Sequence, residues 1–300
     1  MIAPALFLLA AILPPSIDDW KRADAAKPEL PLPSVAREYG LAESDAAVYN
    51  SGKKSFQLAA YRLKDVTGAV ALEQSLQAPD NKIFRYQNYV FQTLAGTAPR
   101  GALDAFLFPA LAKVDRSAPP NLLAYLPAKG RIQASERLLI GPESLRAFEP
   151  RIPVVAAGFD FAGEIQLARY STAILAVFRF PNHAIARQQY TALQKISSGA
   201  ITRQGPIVAL VLPSDPSQPL SPETAQALAG QIQYKAELVM DNAPPKPQPN
   251  PALFLLGVFQ LCGVLLCCCL GLGLIFAFFR AYGRHWSGKK HDDEMTTLGI

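Results

Sequence analysis

The longest apolar segment of this chain lies near its C-terminal end. Residues 253–279 contain no charged side chain, and Gln260 is their one strongly polar residue. As an α-helix this segment would be roughly 40 Å long, whereas the hydrocarbon core of a bilayer is roughly 30 Å thick. The pattern therefore predicts one transmembrane helix over residues 253–279.

The residues that flank this segment differ in character. Residues 241–252 are rich in proline, which disfavours helix and central strand and predicts an extended spacer. Residues 280–300 contain several basic side chains, and Tyr282 and Trp286 are placed to sit at lipid headgroups. Because basic residues accumulate on the cytoplasmic side, we expect a cytoplasmic tail over residues 280–300 and everything before the spacer outside.

The N-terminal residues 1–13 form a second apolar segment, which is too short to span a bilayer and has the length of a signal-peptide core. No Lys or Arg precedes it. A signal peptidase would recognise small residues at positions 23 and 25, but these lie far from the apolar segment. Cleavage near Ala10 and Ala11 is the other possible processing site. The alternative to export is that residues 1–13 form a buried strand or helix. Residues 14–34 are expected to be a linker.

Between these two segments one pattern occurs twice. In each copy a short apolar run ends near an arginine, a residue suited to cap a helix follows, and an Ile-x-Arg segment comes after a helical run. The matched residues are Tyr61 with Phe178, Arg62 with Arg179, Asp65 with Asn182, Ile83 with Ile201, and Arg85 with Arg203. A nearly constant offset indicates an internal duplication. We expect a first module over residues 35–126, a connector over residues 127–156 and a second module over residues 157–240.

Each module can be divided into predicted strands and helices. The apolar runs are rich in β-forming residues, and Asp65 and Asn182 are typical helix N-caps. Residues 204–206 predict a tight turn between two strands, and residues 103–114 and 221–232 predict a last helix in each module. The expected fold class is α+β: two related ββαββα modules, each an antiparallel sheet with helices on one face, plus one C-terminal transmembrane helix.

A series of short motifs lies around the connector. They are Tyr125-Leu-Pro127, Ser135-Glu-Arg137, Ile140-Gly-Pro142, Gly158-Phe159, Glu164 and Ala168-Arg-Tyr170. Together they resemble a bacterial domain-of-unknown-function family of exported proteins, over about residues 13–238. The resemblance implies an exported protein with two modules, and it implies no activity and no catalytic residues. The C-terminal anchor departs from the usual member of that family.

Composition supports the membrane assignment. Half of the 300 residues are hydrophobic and the mean hydropathy is +0.13, which is high for a wholly soluble protein. The net charge of +5 comes from 29 basic and 24 acidic residues, and no run of like charges suggests a nucleic-acid arm. We therefore expect a membrane as partner and no nucleic acid.

The candidates for metal or thiol chemistry are few. All four cysteines, Cys262, Cys267, Cys268 and Cys269, lie in the apolar C-terminal segment, where they suggest lipidation, metal binding or, as we prefer, small hydrophobic residues of a helix. His183 is the one histidine outside the tail and is expected at the exposed first turn of a helix. We expect no disulfide framework, no metal site, no cofactor and no catalytic residue.

A few charged residues remain as ligand-binding candidates. Arg62 and Arg179 recur near strand ends and could bind an anion, although a structural role is the preferred reading. Glu164, also a candidate, and Glu38 are the carboxylates nearest to predicted strand starts.

Two functions follow from these features. The preferred one is a non-enzymatic binding, sensing or assembly module, anchored at the outer face of the bacterial cytoplasmic membrane and with an envelope protein as a candidate partner. The alternative is a secreted hydrolase with a carboxylate site. A pocket where two carboxylates converge would favour the hydrolase, and a broad apolar surface would favour the scaffold.

Overall fold

The computed structural model describes residues 12–25, 29–78, 82–195, 199–234 and 251–286. The chain forms two compact units, Met1–Lys235 and Ala236–Ile300. The first unit contains two antiparallel sheets with their helices, and the second contains one long apolar helix. The broad expectation of an α+β protein with an apolar C-terminal helix is therefore confirmed.

The first sheet has six antiparallel strands in the spatial order β1-β2-β3-β4-β6-β5. Its strands are β1 Ser16–Ile17, β2 Trp20–Asp24, β3 Leu41–Ser51, β4 Lys54–Leu63, β5 Lys82–Tyr86 and β6 Tyr89–Ala95. Helix α1 (Pro33–Glu38) precedes β3, and α2 (Val66–Leu76) connects β4 to β5. Three short turns follow β6: α3 (Arg100–Ala102), a π-helical turn (Leu103–Leu107) and a 3-10 turn (Phe108–Ala110).

The second sheet has five antiparallel strands in the order β10-β11-β9-β8-β7. Its strands are β7 Arg137–Leu139, β8 Glu164–Arg169, β9 Ala173–Arg179, β10 Ile201–Gln204 and β11 Ile207–Pro213. Its helices are α4 (Pro142–Phe148), α5 (Val154–Ala157), α6 (His183–Gln194) and α7 (Pro222–Ala229), and 3-10 turns occur at Asn121–Tyr125 and Phe159–Phe161.

The two predicted helix caps are confirmed. Asp65 accepts a hydrogen bond from the backbone N–H of Gly68 at 2.7 Å and begins α2. Asn182 accepts one from the N–H of Ile185 at 2.9 Å and begins α6. Both side chains satisfy an N–H that has no partner within its own helix, which is why these residue types mark the helix starts.

Helices cover both faces of the second sheet. Helix α6 packs with Phe178 and Val208 on one face, and α7 packs with Val177 and Val211 on the other. The first sheet is likewise covered on both faces. Its Tyr61 and Leu63 pack with α2, whereas Phe56 and Phe91 pack with Leu13 and with the helical turns after β6.

The expectation that helices lie on one face of each sheet is therefore wrong. The physical reason lies in the central strands: β11 is buried at every position, and β9 is buried at all but its last residue, Arg179. A strand that is apolar on both sides must be covered on both sides, and such a continuous apolar run does not reveal which helix covers which face.

Residues 14–34, expected to be a linker, contain β1 and β2, which form one edge of the first sheet. Leu13 is buried in the core beneath them, and its N–H donates to Asp45 at 2.9 Å. Short polar strands such as β2 lack the alternation that marks a strand in sequence. Of the expected signal segment, residues 1–11 lie outside the described residues.

The connector over residues 127–156 also belongs to the fold, because it contains β7, an edge strand, together with α4. The last helix expected over residues 103–114 is instead a series of short turns that ends at Ala110. Pro109 lacks the N–H that a continuous helix requires at that position. The last helix expected over residues 221–232 does form, as α7 after Ser221.

The second unit contains α8 (Pro251–Trp286). Its segment Val258–Arg280 is long and apolar enough to cross a membrane, and no other helix of the described chain meets that criterion. The predicted apolar helix over residues 253–279 is thus confirmed as a helix. Spacer residues 241–250 and tail residues 287–300 lie outside the described residues.

Candidate functional site

Arg62, the first of the two predicted anion-binding arginines, pairs with Glu43 across β3 and β4. Its Nη2 lies 2.6 Å from Glu43 Oε1 and its Nε lies 3.1 Å from Oε2. This two-point hydrogen bond lowers the pKa of Glu43 and raises the pKa of Arg62. An anion would have to displace a well-placed carboxylate to reach this guanidinium.

Arg179 makes the corresponding contact in the second sheet. It faces Glu164 across β8 and β9, with Nη2 at 2.8 Å from Oε2. Its Nη1 also donates to Asn121 Oδ1 at 3.2 Å. The three candidate residues therefore belong to two separate cross-strand ion pairs, Arg62 with Glu43 in the first sheet and Arg179 with Glu164 in the second, and do not come together as one site.

Glu38, the other candidate carboxylate, anchors the start of α4. It accepts hydrogen bonds from the backbone N–H groups of Glu143 and Ser144 at 2.6 and 2.9 Å, and from the Ser144 hydroxyl at 2.5 Å. His183 is the exposed first residue of α6, as expected. Within the described ranges, no three His, Cys, Asp or Glu side chains group as metal ligands would.

A cavity that no sequence pattern indicated lies between the two sheets, and we call it the junction cleft. It is lined by α2, by β5 and by parts of the segment from Leu123 to Glu136, which leads into β7. Its volume is about 640 Å³. Small-molecule sites commonly have volumes of about 300–1,000 Å³, so the cleft is large enough for a ligand.

Two ion pairs face the junction cleft. Glu73 on α2 pairs with Arg85 on β5 at 3.0 Å, and Arg131 pairs with Glu136 at 2.8 Å. All four side chains are between 20% and 28% exposed, so they are reachable but partly desolvated. The charges of the cleft wall are therefore neutralised in pairs.

Amide side chains supply the remaining polarity of the cleft. Gln74, Gln77 and Gln133 line it. The Oε1 of Gln74 accepts a hydrogen bond from the buried Gln166 at 3.1 Å, while Gln166 Oε1 is buried and accepts none within the described part of the chain. Behind Gln74, the buried Oε1 of Gln166 thus lacks the hydrogen-bond donor that a buried acceptor normally finds.

The junction cleft was missed because its residues are far apart in sequence. Glu73 and Arg85 belong to different elements, and Arg131 and Glu136 lie in a loop without regular periodicity. In the sequence, Arg85 is marked only by the repeated pattern that matches it with Arg203. Both arginines donate to the carbonyl two residues further on, at 3.4 Å for Arg85 and 3.1 Å for Arg203, but only Arg85 also has an acidic partner across the cleft wall.

The chain was compared with protein-family models, with curated proteins and with solved structures, and nothing matches it. The resemblance to a bacterial family of exported proteins therefore stays a prediction.

Proposed function

We propose that this protein is a membrane-anchored binding protein whose ligand occupies the junction cleft. The observation that carries the proposal is the cleft itself, a cavity of about 640 Å³ whose wall combines two ion pairs with three amide side chains. A concave site with a few converging polar groups is the usual form of a small-molecule site.

The paired charges favour a particular class of ligand. A ligand with a net charge would leave one partner of an ion pair unbalanced in a partly desolvated place, which is costly. A neutral polar or zwitterionic molecule can instead hydrogen-bond to Gln77 and Gln133 and to the outer sides of both ion pairs. We therefore expect ligands such as free amino acids, short peptides or sugars.

The hydrolase alternative has one observation in its favour, because Glu73 and Glu136 both line the cleft. Each of these carboxylates already has an arginine partner. Neither can contact a substrate or an attacking water freely unless that pair opens. Binding without turnover is therefore the preferred function, and hydrolysis of a bound ligand is an outcome that the same experiment detects.

The proposal includes a relationship between the two sheets, in which residues 35–126 and 157–240 are copies of one ββαββα module. The strand orders β3-β4-β6-β5 and β8-β9-β11-β10 support this, because each follows the same path. Strand registers agree as well. Arg85 faces Val90, as Arg203 faces Val208.

The central strands of the two proposed copies also agree in register. Arg62 faces Glu43 on one side and Tyr89 on the other, while Arg179 faces Glu164 and Ile207. A slip of one residue would turn each buried face outward. The two proposed copies share the same register on both sides of the central strand, which two unrelated sheets would rarely do. In this interpretation the two arginines preserve a structural ion pair rather than an anion site.

The proposed location is the outer face of the bacterial cytoplasmic membrane, with α8 as anchor and the basic tail in the cytoplasm. The apolar length of Val258–Arg280 and the basic residues after it support this orientation. The burial of Leu13 limits where an N-terminal signal peptide could be cleaved. Since it is buried in the first sheet's core, cleavage near Ala10 and Ala11 preserves the fold, whereas cleavage after residues 23–25 would remove β1 and β2.

Binding can be tested with full-length protein in neutral detergent micelles. The probes are an equimolar panel of amino acids, dipeptides and monosaccharides, and the readout is ligand-detected NMR followed by titration of the hits. The variant Ala78→Trp fills the cleft from an exposed lining position, and Ala227→Trp on α7 is the matched control away from it.

A hit that binds the wild type and Ala227→Trp equally, but binds Ala78→Trp at least about tenfold more weakly, supports the junction cleft. Equal binding to all three proteins, or the absence of any hit, would refute it. New product resonances during incubation would replace the binding function with the hydrolase.

A further inference from the structure

A second cavity lies on the other side of the loop that borders the junction cleft, and we call it the arginine pocket. Its volume is about 350 Å³, and Gln133 and Ala134 line both cavities. Arg137 and Arg169 are both among the residues that line it. Ile132, Phe148 and Ile174 contribute apolar surface.

Arg137 is held in place by backbone carbonyls. Its Nη1 donates to the carbonyl oxygens of Ala134 at 2.9 Å and Glu136 at 2.6 Å, and its Nη2 donates to the Gln77 carbonyl oxygen at 3.4 Å. Its guanidinium lies over the Phe148 ring, 5.5 Å from the centroid. These contacts orient the group without neutralising it. A guanidinium fixed in this way loses little conformational entropy when it binds a further acceptor.

The acidic residues nearby already have other partners. Glu149, which lines the arginine pocket, is bound at two points by Arg151, at 2.5 and 2.8 Å. Glu136 pairs with Arg131 at 2.8 Å. Neither Arg137 nor Arg169 has an ion-pair partner within the described part of the chain, so the pocket carries uncompensated positive charge.

The charge of Arg169 acts on the guanidinium of Arg137. Burial is the main cause that lowers the pKa of Arg137, and Tyr39 opposes this shift. The positive charge of Arg169 lowers the pKa further, while the charge of Glu136 raises it. Arg137 stays protonated at neutral pH in any case, because the ordinary pKa of an arginine lies far above neutrality. Two like charges facing one cavity repel each other, and an anion placed between them removes that repulsion.

We propose that the arginine pocket binds a small organic carboxylate with an apolar body. The carboxylate would lie against Arg137 and Arg169, and the apolar body would lie against Ile132 and Ile174. Bidentate pairing with guanidinium suits a planar carboxylate. The apolar part of the wall distinguishes this ligand from inorganic phosphate, which would leave that surface unfilled.

The arginine pocket is a separate site from the junction cleft, and its proposal does not depend on the ligand proposed for that cleft. The two cavities differ in charge. The charged side chains of the junction cleft are paired, whereas Arg137 and Arg169 of the arginine pocket are not. The loop over residues 132–135 divides the two cavities. Its Ile132 N–H donates to the Arg169 carbonyl at 2.8 Å, which fixes this loop to the end of β8.

The test uses full-length protein in neutral detergent micelles and fluorine-detected NMR titration. The probe is 4-fluorobenzoate, and 4-fluorobenzamide is its neutral analogue of nearly the same shape. Arg169→Gln removes one charge from an exposed side chain of the pocket, and Arg187→Gln on α6 is the matched control away from it. Inorganic phosphate is added as a competitor.

We expect 4-fluorobenzoate to bind the wild type and Arg187→Gln equally, and to bind Arg169→Gln at least about tenfold more weakly, because one charge-assisted hydrogen bond is lost. The benzamide should bind at least about tenfold more weakly than the benzoate. Equal binding of both probes, or no effect of Arg169→Gln, overturns the proposal. Full displacement by phosphate at equal concentration also overturns it, since the apolar body then contributes nothing.

A second variant covers the case in which Arg169→Gln does not fold. Gln133→Glu places a carboxylate in the same wall, and Gln226→Glu on α7 is its control at an exposed position. Gln133→Glu should weaken binding of the benzoate and leave the benzamide unchanged. Equal weakening of both probes would mean that the effect is not electrostatic, and the proposal fails.

Discussion

The carboxylate of Glu38 lies against the backbone of Gly141 so closely that an added Cβ would be 2.4 Å from its Oε2 atom. The contact exists because Glu38 reaches across from α1 to accept the first N–H groups of α4. A side chain at position 141 would therefore push Glu38 away from the helix start that it caps. The Ile140-Gly-Pro142 motif has a structural explanation in this contact.

Gly141→Ala should destabilise the first unit by about 1–3 kcal/mol, because overpacking and a lost helix cap both act there. The measurement is urea unfolding of the full chain in detergent, followed by near-ultraviolet circular dichroism. Gly101→Ala is the control, since a Cβ at that position meets nothing within 4 Å. Equal stability of the two variants would show that Glu38 can move at no cost.

Glu43→Gln should reduce stability in a pH-dependent way. The folded pKa of Glu43 lies below its ordinary value of 4.5, chiefly because Arg62 donates hydrogen bonds to it. A depressed carboxylate pKa stabilises the fold above the unfolded pKa, and that contribution disappears as pH falls through the folded pKa. The pair is partly exposed, so we expect a difference of at most about 1 kcal/mol at pH 7.

Urea midpoints of wild type and Glu43→Gln, measured at pH 7 and pH 3, provide this comparison. The difference in urea midpoint between wild type and Glu43→Gln should be smaller at pH 3 than at pH 7. Glu223→Gln, at an exposed position on α7, should show no such change. A gap that is the same at both pH values would assign the effect to packing and not to charge.

Leu13→Ala should cost about 2–5 kcal/mol, which is typical when a buried leucine is truncated. Leu94→Ala is the matched control, because Leu94 is 41% exposed. Thermal unfolding of both variants tests the difference. Mass spectrometry of protein purified from membranes should then find an N-terminus before Leu13, and a mature chain that begins after residue 25 would contradict the packing described here.

The membrane anchor predicts how the chain fractionates. Full-length protein should stay in the membrane pellet during carbonate extraction, because Val258–Arg280 is long and apolar enough to cross a bilayer. A chain that ends at Met240 should be released as soluble protein. Extraction of the full-length chain by carbonate would show that α8 does not span.

Orientation needs a separate experiment. Protease added to spheroplasts should digest the first unit and spare an epitope placed after Ile300, since the basic residues lie on the C-terminal side of the helix. A second epitope in the first unit reports that the protease was active. Loss of the C-terminal epitope in intact spheroplasts would reverse the proposed topology.

Local sequence signals were sufficient for the elements whose cause is local. The apolar segment of α8, the caps Asp65 and Asn182, and the turn before Ile207 all follow from residues that lie next to one another in the chain. Caps and turns are formed by hydrogen bonds over about three residues, so the sequence contains their full explanation.

The tertiary structure alone decided which faces are covered and where the cavities lie. Strands that are apolar on both sides have no alternating pattern from which the positions of α6 and α7 on opposite faces could be predicted. The pairing of Glu73 with Arg85, and the position of Arg137 and Arg169 around one cavity, depend on how strands and loops pack. Such contacts arise from long-range packing, which a periodic pattern of polar and apolar residues does not encode.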